Sequence, residues 1–340
     1  MSITNFFTRK PSCTIDIDKS IHDLDTFVGR CKHFFEITNP LNLFVSEGEL
    51  EHARELVTAC RENKSLPADV SEGELRRAKI LYDSAFHPET GQKMNLIGRM
   101  SAQVPCNMLI TGGMMTFYKS NLEVFLWQWI NQSFNALVNF TNRSGDAAFT
   151  NEQIAQSYVL ATSGAVITAV GLNKALKRAP PVVGRMVPFF AVFAANCINI
   201  PLMRAQELKC GTAIYDSNNN KIGYSKAAAQ KGISQVIISR VFMAIPGMLF
   251  TPFLVNWMEQ RGTLCRYPWL ALPTQTGLLG LCLIFATPAG CALFNQCQRL
   301  DFKELEPESQ DELNKNSRIN LPKKCFSTKD YRQKIVDIQK

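Results

Sequence analysis

The chain has 340 residues, a formal net charge of +8 and a mean hydropathy of −0.06. Its basic residues form no long Lys/Arg block and no basic helix interleaved with aromatics, which excludes the usual footprint of a nucleic-acid binder. The eleven cysteines contain no CxxC pair and the four His all precede residue 90, so no metal centre or other cofactor is expected.

Residues 1–20 lack the apolar core of a secretory signal. Asp16 and Asp18 dilute Arg9, Lys10 and Lys19, so a cleavable presequence is not expected. Residues 21–86 read as a small helical region. The word SEGEL occurs at 46–50 and again at 71–75. In each copy Ser pairs with Glu three residues on (Ser46 with Glu49, Ser71 with Glu74), the pattern of a capping box. Leu50, Ala53, Leu56 and Cys60 follow the first copy at helical spacing. Leu75, Ala78, Leu81, Tyr82 and Ala85 follow the second. Pro88 closes this region, because the residue before proline is pushed out of the α region.

Beyond it, charge disappears from long windows: Arg99 to Lys119, Glu123 to Arg143, Glu152 to Lys174, Arg185 to Arg204, Arg240 to Glu259 and Arg266 to Arg299. A transmembrane helix needs roughly 17–25 mostly apolar residues. The expected fold class is therefore all-α: a multi-pass helical membrane protein with about five spans, at 104–118, 153–173, 186–203, 232–256 and 270–296. Pro201, Pro246, Pro252 and Pro288 fall inside these runs and predict broken or kinked helices. The segment 124–142 stays open between spanning and lying at the interface. It carries an amide stripe, Gln128, Asn131, Gln132, Asn135, Asn139 and Asn142, at steps of three and four along an otherwise apolar helix. With five spans, the N-terminus and the basic loop 174–185 share a side, and positive-inside reasoning makes that the inner side of the membrane; a sixth span changes this. Residues 216–223 read as a hairpin tip and 299–340 as a charged, partly helical tail. The domain division is then 1–98, an N-terminal soluble or amphipathic helical region; 99–298, a transmembrane bundle; and 299–340, the tail.

The stretches HPETGQKMNLIGRMSAQVP (87–105), WQWINQSFNALVNFTNRSGDA (127–147) and ANCINIPLMRAQEL (195–208) resemble the sideroflexins, formerly called tricarboxylate carrier proteins, in family order over roughly residues 20–310. FATPAGCALF (285–294) is similar to the 1/3 branch of that family. The chain departs from the pattern at IHDLDTF (21–27), which lacks the family's preceding aromatic, and in a tail without an Asn-Lys-Gly-Leu ending. The resemblance implies a multi-pass protein of the mitochondrial inner membrane, without a cleaved presequence and not an enzyme. It further implies carriage of serine, with alanine and cysteine, into the matrix for one-carbon metabolism.

The residues themselves point to a binding cavity. A zwitterionic amino acid needs donors for its carboxylate and acceptors for its ammonium, and amides supply both. The expected substrate-binding set is Gln128, Asn131, Gln132 and Asn135, with Asn196 and Asn199 opposite and Arg99, Arg143 or Arg204 at the rim for the carboxylate. Interhelical amide glue is the competing role for each amide. Two other classes stay open. One is a scaffold for inner-membrane complexes or iron homeostasis, docking protein partners through residues 21–86. The other is a carrier for citrate, which demands converging Arg or Lys where the apolar runs hold only Arg240. The expected partners are a small neutral amino acid and inner-membrane lipid, with no nucleic acid.

Overall fold

The computed structural model describes residues 17, 19–63, 70–87, 90–117, 120–142, 151–175, 187–215, 221–295, 297–301, 306 and 324–329. Among the described residues the first α-helices are α1 (Phe27–Ile37), α2 (Glu47–Asn63) and α3 (Glu72–Ala85). α2 and α3 pack around Leu50, Ala53, Val57, Cys60, Leu75, Ala78, Leu81, Tyr82, Ala85 and Phe86, the two predicted stripes with Val57 in the place given to Leu56. Ser71 and Glu74 complete a reciprocal capping box. At the first copy only the hydroxyl arm forms, Glu49 N donating to Ser46 Oγ at 3.2 Å, while the Glu49 carboxylate lies 3.7 Å from Arg77. Inside this unit Lys79 is fully buried and donates to both oxygens of Asp83, at 2.9 and 3.2 Å. His33 is buried beside them. Burial, helped by the Lys79 and His22 charges, lowers its pKa to about 4. Burial likewise raises the Asp83 carboxyl against the pull of Lys79.

Among the described residues six longer helices follow: α4 (Gln103–Phe117), α5 (Asn121–Thr141), α6 (Asn151–Ala175), α7 (Val187–Met203), α9 (Lys226–Gln260) and α11 (Ala271–Ala292). Short helices α8 (Ala205–Cys210) and α10 (Thr263–Arg266) lie at connections. Each long helix packs on the next, and α11 packs back on α4, so the six close a ring. Missing side chains set the close approaches. A Cβ on Gly113 would lie 2.0 Å from the Trp127 ring, one on Gly112 2.6 Å from Thr276 Oγ1, and one on Gly247 2.4 Å from Leu279. These contacts, with Gly280 on Met108, Gly290 on Met243 and Ser133 on Tyr158, run antiparallel around the ring. α7 ends beside the start of α9, because Thr212 pairs with Ser225. One end of the ring therefore gathers the starts of α4, α6 and α9 and the ends of α5, α7 and α11.

The N-terminal unit is fastened to that end. Arg30 donates from Nε to Ala292 O at 2.8 Å, satisfying a carbonyl of the last turn of α11, and from Nη1 to Leu24 O and Asp25 O. Asn142, closing α5, donates to Gly98 O at 2.8 Å in the linker. A four-stranded antiparallel sheet sits at the same end, in the order β2 (Lys221–Ser225), β1 (Thr212–Tyr215), β4 (Lys324–Lys329), β3 (Cys297–Asp301). Gly211 opens β1 at φ 83, against the Ser225 backbone, where only glycine fits without strain. Glu306 accepts from Ser225 Oγ at 3.0 Å and from Ala227 N, placing a carboxylate at the start of α9.

Several expectations change here. α5 is a full member of the ring, not a helix lying across its end. α6 consequently ends opposite the N-terminal unit, and residues 176–186 that follow it lie outside the described residues. The prolines do not break their helices: α7 runs through Pro201, α9 through Pro246 and Pro252, and α11 through Pro288. Pro105 falls in the first turn of α4, where no donor is lost. The described parts of the tail are strand instead of helix, because the 212–225 hairpin offers an edge for them to pair on. The predicted hairpin exists, but its tip, 216–220, lies outside the described residues. By length and composition two helical stretches qualify to cross a membrane, Lys226–Gln260 and Pro268–Ala292, with shorter apolar stretches at Tyr158–Leu172 and Val192–Leu202.

Two outcomes follow from this packing. Gly113→Ala forces the Trp127 ring to move and lowers the melting temperature by an amount equivalent to about 1–3 kcal/mol. Gly171→Ala, which meets open space, does not lower it; equal effects in thermal unfolding would rule out the packing argument. Acidification is expected to destabilise through His33. Above its unfolded value of about 6.5 the ring is neutral in both states. As the pH falls from there to about 4, the unfolded chain takes the proton and the fold does not. The loss reaches at most about 3 kcal/mol, while Asp83 works in the opposite direction. The drop in melting temperature from neutral to about pH 5 should shrink in His33→Asn.

Candidate functional site

α5 carries the centre of the predicted site. A capping box of Ser120 and Glu123 starts it: Glu123 N donates to Ser120 Oγ at 3.2 Å and Ser120 N to Glu123 Oε2 at 2.7 Å. Its faces are inverted relative to a helix in water. Leu122, Phe125, Leu126, Trp129 and Ile130 point outward and are exposed, whereas Gln128, Asn131 and Gln132 are buried. Trp127, Phe134 and Val138 fix the rotation of the helix by packing towards α4, with Ile110 and Met114, and Phe117 stacks on Trp127 at 6.4 Å. On another side Ser133 Oγ and Tyr158 OH share a hydrogen bond of 2.7 Å to α6. Once those contacts are made, the amides have only the ring's interior left.

Across that interior stands α7. Asn199 Nδ2 donates to Gln132 Oε1, a buried side-chain bond joining α5 to α7. Asn199 Oδ1 is buried and accepts no hydrogen bond among the described residues. Asn196, one turn earlier, and Asn135, one turn beyond Asn131, are half-buried. The structure thus brings Gln132 and Asn199 together, and keeps Gln128 and Asn131 on the same buried face of α5.

The cations are placed differently. Arg99 is buried in the linker before α4, where Nε donates to Met94 O at 3.3 Å, and burial lowers its pKa. Its role there is to hold the linker. Arg204 forms a bidentate pair with Glu207, Nε to Oε1 at 2.9 Å and Nη2 to Oε2 at 2.8 Å, just past the end of α7. That carboxylate already occupies the guanidinium fork a substrate would need. Arg143 lies outside the described residues, as does the side chain of Asn139.

A second polar group was not foreseen from the sequence. Thr116 Oγ1 lies 2.9 Å from Gln275 Oε1 and 2.9 Å from Gly112 O, linking α4 to α11. Gln103 Nε2 and Thr251 Oγ1 are buried without a hydrogen bond among the described residues. The signal in the sequence was slight: Gln275 is the one amide in ALPTQTGLLG, and a single polar residue shows no periodicity. All these groups are neutral amides and hydroxyls. Such a set binds and orients a polar molecule by donating and accepting; it does not move protons.

A sequence model described as "SFXNs: Sideroflexins" matches residues 16–326. Sideroflexin-1 of Homo sapiens is 54% identical over 296 residues, covering 87% of this chain and 92% of its own length. Sideroflexin-1-3 of Drosophila melanogaster is 52% identical over 305 residues, 90% and 95% of the two chains. Sideroflexin-3 of Mus musculus is 53% identical over 294 residues, 86% and 91%. No solved structure matches.

The Gln132–Asn199 bond makes a direct test of whether α5 and α7 are coupled. In a double-mutant cycle of Gln132→Ala and Asn199→Ala, thermal unfolding should give a coupling of about 0.6–1.7 kcal/mol, the range of such bonds between membrane helices. Additive effects would show that the two side chains do not bond.

Proposed function

The chain belongs to the sideroflexin family, and from that premise we propose that it is a multi-pass membrane carrier for a small neutral amino acid, serine first, with alanine and cysteine as further substrates. The observation that carries the reading is the inversion of polarity around the ring. Large apolar side chains are exposed on the outside of each ring helix, among them Leu109, Phe125, Val159, Phe193, Phe250 and Phe285, while amides and hydroxyls are buried within. A belt of this kind is far larger than the apolar patches a water-soluble monomer leaves open. Trp257, Tyr267 and Trp269 are exposed at one end, with Arg261 against the Trp257 ring at 4.8 Å, as in the aromatic and cationic rim of a bilayer-embedded protein. In this reading all six ring helices cross, α4 and α5 included, and both chain ends lie on one side. The family resemblance supports the mitochondrial inner membrane as the location and one-carbon metabolism as the use of the serine.

The carrier works by alternating access around the α5–α7 amides. With the site empty, Asn199 donates to Gln132 and keeps its own Oδ1 unanswered among the described residues. Substrate entry replaces that bond, Asn199 and Gln132 then offering N–H to the carboxylate and C=O to the ammonium, with Asn131 and Gln128 as neighbours on the same face. Breaking the bond frees α5 and α7 to separate at one end. A tricarboxylate is poorly served, since neutral amides leave its charge uncompensated.

Labelled serine should enter liposomes containing the purified protein saturably, and alanine but not citrate should compete. Asn131→Ala, Gln132→Ala and Asn135→Ala should each weaken uptake roughly 2- to 10-fold, the value of one hydrogen bond. No saturable uptake by folded, inserted protein would overturn the carrier reading. So would three variants with wild-type affinity and turnover. Topology has its own check: six crossings put tags at the two chain ends on the same side in a protease-protection assay, whereas five put them on opposite sides.

A further inference from the structure

α1 has two faces with different surroundings. Gly29, Arg30, His33, Phe34 and Ile37 are buried. Phe34 and Ile37 pack with Cys291 and Ala292 at the end of α11, and Arg30 locks the contact through Ala292 O. The opposite face is apolar and open: Val28 is 61% exposed, with Phe27 and Phe35 close to half. At 3.6 residues per turn, Phe27, Phe35 and Val28 span one arc of about 100°, with Cys31 within it half-buried against the α11 cluster, and exposed Lys32 stands on its edge. The turn that follows exposes Leu41 and Phe44, the latter by 85%. A helix fastened this firmly cannot turn its apolar face inward.

Its position says what covers that face. The Phe35 ring lies 6.1 Å from Phe285, itself an exposed residue of the belt on α11, so the two apolar surfaces are continuous. On α9 the exposed belt runs from Ile238 to Trp257. At 1.5 Å per residue this is about 28 Å, against about 30 Å of hydrocarbon in a bilayer. The cluster seating α1 includes Met243 of α9. Met243 lies about 7 Å inside the Ile238 end of the belt. In-plane amphipathic helices rest about 5–10 Å into the boundary between headgroups and acyl chains. The contacts of α1 and its depth thus agree.

We propose that α1 and the turn after it form an interfacial helix. The arc of Phe27, Phe35 and Val28 lies against the acyl chains of one leaflet, and Lys32 reaches up to that leaflet's phosphates. This rests on the membrane reading given above and adds to it that the N-terminal unit is seated in the bilayer surface, not merely tethered beside it. A photoactivatable diazirine amino acid placed in the full-length protein tests it, in vesicles of mixed phosphatidylcholine and phosphatidylglycerol. Position 28 or 35 carries it in turn, with Phe250 as the belt control and Thr58, exposed on α2, as the aqueous control. Lipid adducts in the mass spectrum are expected at 28, 35 and 250 and not at 58. Adducts at 250 alone would overturn the interfacial helix and leave the membrane reading standing. Lipid adducts at none of the positions would overturn both.

Discussion

Much of this structure follows from one constraint: a buried amide costs free energy wherever no group answers it. Gln128, Asn131, Gln132 and Asn199 are buried in the ring. In an apolar surrounding each unanswered N–H or C=O costs on the order of 1–3 kcal/mol. The helices must therefore approach closely enough for side chains of α5 and α7 to bond, and must hold that approach around a closed circuit. The same constraint gives the site its character. In the proposed carrier, a pair that bonds to itself when empty exchanges that bond for a ligand's at little net cost.

Closure of the ring depends on small residues. Gly112 and Gly113 stand side by side on α4 but serve different neighbours, Gly112 admitting Thr276 of α11 and Gly113 the Trp127 ring of α5. α4 is thus the member at which the circuit shuts. Between helices in lipid, where water supplies no driving force, close contact of this kind and a few hydrogen bonds provide the attraction. The Thr116–Gln275 bond lies on the same joint.

One end of the ring is clamped and the other is not comparably bound among the described residues. Arg30 on the last turn of α11, Asn142 on the linker and Glu306 on the start of α9 bring N-terminal unit, bundle and tail together at a single end. In the proposed carrier this asymmetry would let one end act as the fixed frame against which α5 and α7 move. The buried Lys79–Asp83 pair makes the frame rigid, because its charges cannot leave one another without exposing an uncompensated charge.

The sequence by itself determined the class of this protein and much of its local structure. Helical periodicity named the stripes of α2 and α3 almost residue for residue, since a 3.6-residue repeat is a local property. Charge-free windows located the ring helices, and the spacing of amides along 128–135 placed them on one face. The family words identified the sideroflexins before any fold was known. What the tertiary structure decided was everything set by partners distant in sequence. Gln132 meets Asn199 because α5 and α7 face each other, and no local pattern states that. Arg99 and Arg204 carry the same charge in the sequence, but Met94 O and Glu207 fix one in the linker and engage the other. The prolines broke nothing, because a helix supported by neighbours on several sides tolerates a missing hydrogen bond. Residues 324–329 of the tail became strand because the edge of a hairpin some hundred residues earlier was there to pair with. Pairing, rotation and burial are global quantities, and only the closed ring supplies them.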